Sequence, residues 1–489
     1  MEKGENTSSR TMRKDRSNGK DLTVAHNIKK NWSKKIEDGY SENLPKFKLN
    51  LNKTWQSRDG FCRRSTFGKD ITTENKTIMM IGATGAGKTT LINSMINYIL
   101  GVQWEDDFRF VLIDEETQKS QAESQTSEIT AYQINHMDGF CVPYSLTIVD
   151  TPGFGDTRGI SQDQKITKQI QEFFSAPRGI DCIDAVCFVV QASLARLTPT
   201  QKYIFDSILS IFGKDIAQNI IFLVTFADGK TPSVLEAIKV SEMPCSTNAF
   251  GEPLHFKFNN SAVFATNNES SDFATNNESS DFATNNESSD DEESDCENFD
   301  QMFWKMGFSN MKKFFSTLNK METQSLCLTQ EVLKERQQLE VHVQGLQPQI
   351  NAGLTKLDEI KKKKAALKEH KAEMDANKDF EYEFEVSVPK QVMSDEKILE
   401  ELEKEHHSLQ DNVAKLITTS QKSLHRLREI ALKPNPLSTP DYIDLMIEFE
   451  KQEAKPGCQG RIQSLMELKE KVEIINKVSK GEVLPDEWN

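Results

Sequence analysis

The chain has 489 residues, a length that corresponds to about three domains of roughly 150 residues each. Only 37% of the residues are hydrophobic and 28% are charged, so we expect one sizeable folded core together with solvated helices and unfolded segments. The net charge of −15 argues against a protein that binds nucleic acid by neutralising phosphates.

The first 45 residues are rich in Lys, Ser and Asn and show little apolar periodicity, which predicts a disordered basic arm over residues 1–45. Its positive charge leaves peripheral association with an anionic membrane surface open, although the charge is scattered. No segment reaches the 18 or so apolar residues that a membrane span requires, and no apolar leader is present. We therefore expect a cytoplasmic protein without a transmembrane span.

Residues 46–320 are predicted to form an α/β domain. Short apolar runs alternate with helical patterns, which indicates a mostly parallel sheet with helices on both faces. The runs are 77–81, 108–113, 145–150, 185–191 and 219–225. The helix that follows the fourth run has a clear start, because Thr198 can cap it and Pro199 suits its first turn.

An acidic insertion interrupts the end of this domain. The nine-residue unit FATNNESSD occurs three times in tandem from residue 264, and no Lys or Arg lies between residues 266 and 300. Such a polar segment cannot bury enough apolar surface to fold, so we predict a disordered insertion over residues 264–297.

Residues 325–432 are predicted to form an α-helical coiled-coil extension, because apolar residues recur there at alternating spacings of four and three. Alternation of apolar and acidic residues near 380–388 predicts a short β segment. This pattern favours either an antiparallel helical hairpin with a β tip or contact with another copy. Several prolines follow, so residues 433–489 are predicted to be a proline-containing linker and a C-terminal helix over about 461–478.

The strongest chemical motif is GATGAGKTT, at residues 82–90, which fits the phosphate-binding pattern G-x-x-x-x-G-K-[ST] at every fixed position. Glycines allow the backbone to wrap around a phosphate so that successive N–H groups point at it. Lys88 would reach the β and γ phosphates of a nucleotide, and the Thr89 hydroxyl would bind Mg²⁺. The predicted nucleotide-binding residues here are Gly82, Ala83, Thr84, Gly85, Ala86, Gly87, Lys88, Thr89 and Thr90.

A second motif supports the first. The apolar run at 145–150 ends in Asp150, and the sequence TPGFGD follows it. A carboxylate at this position can hold Mg²⁺, while the N–H of Gly153 can sense a γ-phosphate. Thr126 is our choice for a switch threonine that joins the metal when triphosphate is bound, with Thr130 as the alternative. The predicted metal ligands are thus Thr89, Thr126 and Asp150, and the predicted catalytic group is Lys88, Thr126 and Gly153.

Together, the motifs DTPGFGD, RLTPTQ, IFGKD, LVTFAD and FNN resemble those of the immunity-associated nucleotide-binding GTPases, which are relatives of septins and chloroplast-import GTPases. The resemblance covers residues 76–262. It implies a P-loop G domain that binds GTP or GDP with Mg²⁺, in which Asp228 recognises guanine and Asn260 lies beside the base. It also implies self-association through this domain.

The sequence departs from common GTPase motifs at two positions. Phe226 follows Thr225 where many GTPases carry Lys or a polar residue, although Asp228 is retained. Phe154 stands where a Ras-like protein places its water-orienting Gln, and a phenyl ring cannot orient water. Hydrolysis should therefore be slow unless a second copy or a partner completes the site.

These observations predict a GTP-binding switch with slow hydrolysis, regulated by nucleotide-dependent self-association through the G domain, the coiled coil or both. One alternative is a coiled-coil scaffold that holds nucleotide as a structural ligand. Another is an ATP-driven machine, for which the sequence offers no second arginine-bearing motif.

Overall fold

The computed structural model describes residues 23–37, 44–69, 74–114, 126–155, 160–265, 299–376, 388–434, 440–453 and 458–480. The strands are β1 (Ser33–Lys35), β2 (Lys46–Leu49), β3 (Asn52–Gln56), β4 (Cys62–Phe67), β5 (Asn75–Gly82), β6 (Arg109–Val111), β7 (Ile129–Ile134), β8 (Ser145–Asp150), β9 (Cys182–Ile183), β10 (Ala185–Gln191), β11 (Ile220–Thr225), β12 (His255–Lys257) and β13 (Gln324–Ser325). The α-helices are α1 (Val24–Asn31), α2 (Lys88–Ile99), α3 (Ile160–Ser175), α4 (Pro199–Leu209), α5 (Val234–Val240), α6 (Phe299–Leu318), α7 (Cys327–Ala376), α8 (Val388–Ile430), α9 (Pro440–Glu453) and α10 (Cys458–Lys480).

An eight-stranded sheet with the order β12-β11-β10-β5-β8-β7-β4-β3 forms the centre of the domain. The five strands from β12 to β8 run parallel to one another. β7 is antiparallel to β8, β4 is parallel to β7, and β3 is antiparallel to β4. Because parallel strands end at the same edge, the loops after β5, β8, β11 and β12 meet there.

Side chains of the central strands enter two apolar cores, one on each face of the sheet. In β5, Met79 and Ile81 belong to the core that includes α3 and α4. Ile78 and Met80 belong to the opposite core, which includes α2 and α6. This alternation explains the nearly continuous apolar runs in the sequence, since both faces of these strands are covered. The predicted α/β G-domain fold is confirmed.

The fourth helix begins as the sequence predicts. Thr198 accepts a hydrogen bond from the N–H of Gln201, and the Gln201 side chain bonds back to the Thr198 backbone. This capping box, with Pro199 at the first position, fixes the start of α4.

Two expectations for the N-terminal half of the chain are wrong in part. The predicted disordered arm contains α1 and β1, because Ala25 and Ile28 are buried in the core beside α2. A helix of two turns with only two buried apolar residues is too short to show a clear helical period in the sequence. The run 108–113 contributes β6, which pairs with β2 in a separate three-stranded sheet and not in the main sheet.

The helical extension is an antiparallel hairpin of α7 and α8. Ion pairs across it join Lys356 to Glu405 and Lys371 to Glu396. Residue numbers therefore increase along α7 in the direction in which they decrease along α8. Leu346 and Val413 are fully buried between the helices. Helix α7 continues through Pro348. Of the predicted β segment, residues 380–387 lie outside the described residues and Val388 begins α8.

The predicted C-terminal linker is shorter than expected, because α9 forms within it. Ile443 and Ile447 of α9 join the core of the α/β domain, and Leu465 and Val472 of α10 do the same. The predicted insertion over 264–297 lies outside the described residues, apart from residues 264 and 265. None of the described helices combines the length and apolar character needed to cross a bilayer.

Candidate functional site

The predicted phosphate loop connects β5 to α2 at the carboxyl edge of the sheet. A Cβ atom at Gly82 would lie 2.4 Å from the carbonyl oxygen of Val189, so the strand beside it admits only glycine there. Gly85 and Gly87 have φ angles of +75° and +84°, which favour glycine, and a Cβ at Gly85 would meet nothing within 4 Å. The loop therefore packs tightly at its start and opens to solvent at its centre.

Polar groups of this loop are arranged for an anion. The Lys88 ammonium donates hydrogen bonds to the carbonyl oxygens of Gly82, at 3.2 Å, and Ala83, at 3.1 Å, which holds its charge over the loop. The amide N–H groups of Gly85 and Gly87 donate no hydrogen bond to any described residue. The Thr84 hydroxyl is buried and has no hydrogen-bond partner within the described part of the chain. These donors fit phosphate oxygens at a helix N-terminus.

The loop after β8 is hydrogen-bonded to the phosphate loop. The N–H of Thr84 donates to the carbonyl of Phe154 at 2.9 Å, and the N–H of Phe154 donates to the carbonyl of Gly82 at 3.1 Å. A Cβ at Gly153 would lie 2.6 Å from the Cα of Thr84, so only glycine fits at this crossing. The Phe154 side chain is completely buried in the core against α3. Its ring is thus part of that core.

Asp150 ends β8 and is 1% exposed. In the register of the sheet it lies between Met80 of β5 and Thr130 of β7. Side chains of directly opposed residues lie on the same face of a sheet, so Thr130, the alternative switch threonine, is beside Asp150. Thr126, our first choice, lies three residues before β7 begins and outside this pairing.

The donor set at this edge fits Mg²⁺. Within the described residues no three His, Cys, Asp or Glu side chains cluster as a metal site. What the edge offers is one buried carboxylate, Asp150, and the hydroxyl of Thr89 in the first turn of α2. Mg²⁺ is commonly held in this way, by one or two protein oxygens together with substrate phosphates and water.

The two segments expected to recognise the base are joined. Asp228 follows β11 and Asn260 follows β12, and the N–H of Ala227 donates to the carbonyl of Phe258 at 3.0 Å. The Lys257 ammonium also donates to the Gly229 carbonyl at 2.8 Å. Asp228 is exposed, and one of its carboxylate oxygens accepts a hydrogen bond from the N–H of Lys230. The carboxylate therefore lies at the surface, where a ligand can reach it.

Two residues that the sequence analysis did not assign to the site connect its halves. The Thr225 hydroxyl lies 2.8 Å from the carbonyl of Ala86 and 3.1 Å from that of Val190, and it can donate to either. Phe226 has a φ of +52° and is 58% exposed, and its ring lies beside Gly87. Thr225 is the polar third residue of the LVTFAD motif, and this could have identified it, since a buried hydroxyl at a strand end requires a partner.

Residues 73–204 match the family model described as Septin. The match spans β5, the phosphate loop, Asp150 and the start of α4. The region has the fold of a P-loop G domain.

Curated proteins similar to this G domain agree with that match. The chain is 26% identical over 161 residues to a translocase of chloroplast 34 homolog from Chlamydomonas reinhardtii, covering 31% of this chain and 34% of that protein. It is 33% identical over 117 residues to the septin homolog spn6 from Schizosaccharomyces pombe, covering 24% of this chain and 26% of that protein. The chain thus spans about a third or less of the length of these relatives.

Solved structures similar to this G domain include Toc33 from Arabidopsis thaliana, one of them a complex with GDP and Mg²⁺. That complex shares 16% identity, covers 38% of this chain and 71% of Toc33, and has a TM-score of 0.27.

Proposed function

We propose that this protein is a GTP-binding switch of the immunity-associated type, within the septin and chloroplast-import group of GTPases. One observation carries the proposal: Asp150 ends one parallel strand, and the phosphate loop, Asp228 and Asn260 follow three others that end at the same edge of the sheet. Residues distant in sequence would therefore reach a single ligand. We also propose a cytoplasmic location.

The nucleotide would be held by groups of this chain at three points. The N–H groups of Gly85 and Gly87, together with the Lys88 ammonium, would bind the phosphates. Asp150 and Thr89 would hold Mg²⁺, which neutralises phosphate charge. At the far end, the Asp228 carboxylate would accept hydrogen bonds from the guanine N1 and N2 groups, and Asn260 would lie beside the base.

The switch would act through the loop after β8. The carbonyl of Phe154 accepts a hydrogen bond from the Thr84 N–H, and the N–H of Phe154 donates to the Gly82 carbonyl. A γ-phosphate that binds the Gly153 N–H would therefore shift both loops together. Either Thr126 or Thr130 would complete the ordered state. We expect slow hydrolysis, because the buried Phe154 ring cannot orient the attacking water.

Direct measurement of nucleotide binding tests the proposal. Titration calorimetry in magnesium buffer should show binding of GTP and GDP by the wild-type chain and at least tenfold weaker binding by Lys88→Ala. Lys239→Ala is the matched control, since this lysine lies on α5 and pairs with Glu252. Absence of binding by the folded wild-type chain would refute the proposal.

Self-association is the second part of the proposal. Light scattering should give a larger mass with a non-hydrolysable GTP analogue than with GDP. The alternative function is a scaffold in which the α7–α8 hairpin associates as a coiled coil and nucleotide is structural. The length of that hairpin favours it, and it predicts one mass for all nucleotide states and for Lys88→Ala.

A further inference from the structure

A second polar cavity lies far from the nucleotide site. It has a volume of about 780 Å³ and opens between β3, β4 and the turn that follows α3. Its walls include Trp32, Thr66, Gln133, Arg64, Lys69 and Arg178. This volume is within the range of small-molecule sites in proteins.

The register of the sheet separates this cavity from the phosphate loop. Thr66 lies opposite Gln133, Gln133 opposite Thr147, and Thr147 opposite Thr77. Thr77 precedes Gly82 by five residues of β5, which corresponds to about 17 Å of extended chain. The cavity is therefore near the opposite edge of the sheet, where a nucleotide bound at the phosphate loop does not reach.

The charge of the cavity is entirely positive. Arg64, Lys69 and Arg178 line it, and none of the described lining residues carries a carboxylate. The Arg64 guanidinium donates to the carbonyl of Gly179 at 3.5 Å, and that of Arg178 donates to the carbonyl of Thr54 at 3.2 Å. Neither arginine forms an ion pair with a described acidic residue.

The two guanidinium groups are close enough to repel each other. Burial, followed by the charge of Arg178, lowers the pKa of Arg64, while Asp181 acts in the opposite direction. The Nε of Arg64 is buried and has no hydrogen-bond partner among the described residues. A bound anion would satisfy this donor and offset the repulsion between the two positive charges.

We propose that this cavity binds a small, multiply phosphorylated compound. Arg64, Lys69 and Arg178 would hold its phosphoryl groups, because guanidinium groups bind phosphate oxygens through paired N–H donors. The Gln133 amide and the Thr66 hydroxyl would bind hydroxyl groups of its carbon skeleton. This proposal does not depend on nucleotide binding.

Titration calorimetry with inositol hexakisphosphate at physiological ionic strength tests the proposal. The wild-type chain and Lys88→Ala should bind it equally, because the phosphate loop is not involved. Arg178→Gln and Lys69→Gln should each weaken binding by about tenfold or more. Both side chains are exposed, so these variants should fold, which unfolding curves will check.

Arg58→Gln is the matched control, since this exposed arginine lies in the β3–β4 turn and does not line the cavity. It removes the same charge and should leave the affinity within about twofold. Absence of binding by the wild-type chain would overturn the proposal, and so would equal losses in Arg58→Gln and Arg178→Gln.

The same phosphoryl groups could belong to a lipid headgroup. Co-sedimentation with phosphatidylcholine vesicles, with and without phosphatidylinositol bisphosphate, separates the two sources. We expect no extra binding to the phosphorylated vesicles, which assigns the site to a free compound. Binding to them that Arg178→Gln abolishes would overturn that assignment and give the ligand as the lipid.

Discussion

The Thr225 hydroxyl lies 2.8 Å from the carbonyl oxygen of Ala86, so the end of β11 is hydrogen-bonded to the phosphate loop. The next residue after Thr225 is Phe226, and Asp228 follows two residues later. A contact that positions the phosphate loop therefore also positions the segment expected to recognise the base.

We expect Thr225→Val to weaken nucleotide binding at least tenfold although Thr225 itself would touch no ligand. The change keeps the side-chain volume but leaves two buried carbonyls without this donor, which should cost about 1–3 kcal/mol in the free energy of unfolding. Urea unfolding and nucleotide titration will measure both effects. Thr329→Val is the control, because its buried hydroxyl accepts from the Gly213 N–H at 3.1 Å far from the loop. A similar loss of nucleotide affinity in both variants would contradict this explanation.

Two glycines of the phosphate loop should respond differently to substitution by alanine. At Gly82 the new Cβ would meet the Val189 carbonyl at 2.4 Å, so Gly82→Ala should lower the free energy of unfolding by about 3 kcal/mol. At Gly85 there is space, and only the φ of +75° opposes alanine, at a cost of about 1 kcal/mol. Denaturant unfolding of the two variants gives the comparison. Equal stabilities would show that the close approach of β10 is not what requires glycine.

Asp228→Ala should remove the preference for guanine. Loss of a charged acceptor for two base donors should reduce GTP affinity by about tenfold to a hundredfold and leave ATP affinity nearly unchanged. Competition between GTP and ATP for a fluorescent nucleotide measures the ratio. Asp138→Ala, which changes an exposed aspartate on a different loop, should preserve it. A GTP preference that survives Asp228→Ala would mean that other groups read the base.

The helical hairpin should lose stability at acidic pH. His406 of α8 is buried, and burial, followed by the charge of His407, lowers its pKa below 6.5. Because the folded state favours the neutral ring, its contribution to stability is present above about pH 6.5 and declines as the pH falls through the lowered pKa. His406→Leu should abolish this decline, whereas His425→Gln, at an exposed position, should not. Unfolding midpoints measured between neutral and acidic pH will decide.

The sequence was most informative for strands covered on both faces. The runs 145–150 and 185–191 coincide with β8 and β10, because continuous apolar runs mark central parallel strands. By contrast, the sequence does not reveal β4 and β7. Their sequences, CRRSTF and ITAYQI, mix polar and apolar residues because one face lies near solvent or a polar cavity, and such short alternating segments give a weak pattern.

In the candidate site, too, features that depend on a local motif can be predicted from the sequence, whereas features that depend on contacts between distant segments cannot. The loop at residues 82–90 gives a local signal, since a phosphate-binding loop needs glycines, a lysine and a hydroxyl at fixed spacing. The position of Thr130 opposite Asp150 could not be predicted, because strand register depends on pairing across the sheet. The roles of Thr225 and Phe154 likewise depend on contacts between loops that are far apart in the sequence.

Helices α9 and α10 have a practical consequence for dissecting the protein. Ile443 and Leu465 share a core with Ile166, Ile170 and Phe173 of α3, the helix that begins just after the loop carrying Gly153. A fragment truncated at residue 320 would expose that apolar surface to water, and recombinant material of this kind should be prone to aggregate. Binding and activity measurements on such a fragment would describe an incompletely folded protein. Expression work should therefore begin with all 489 residues.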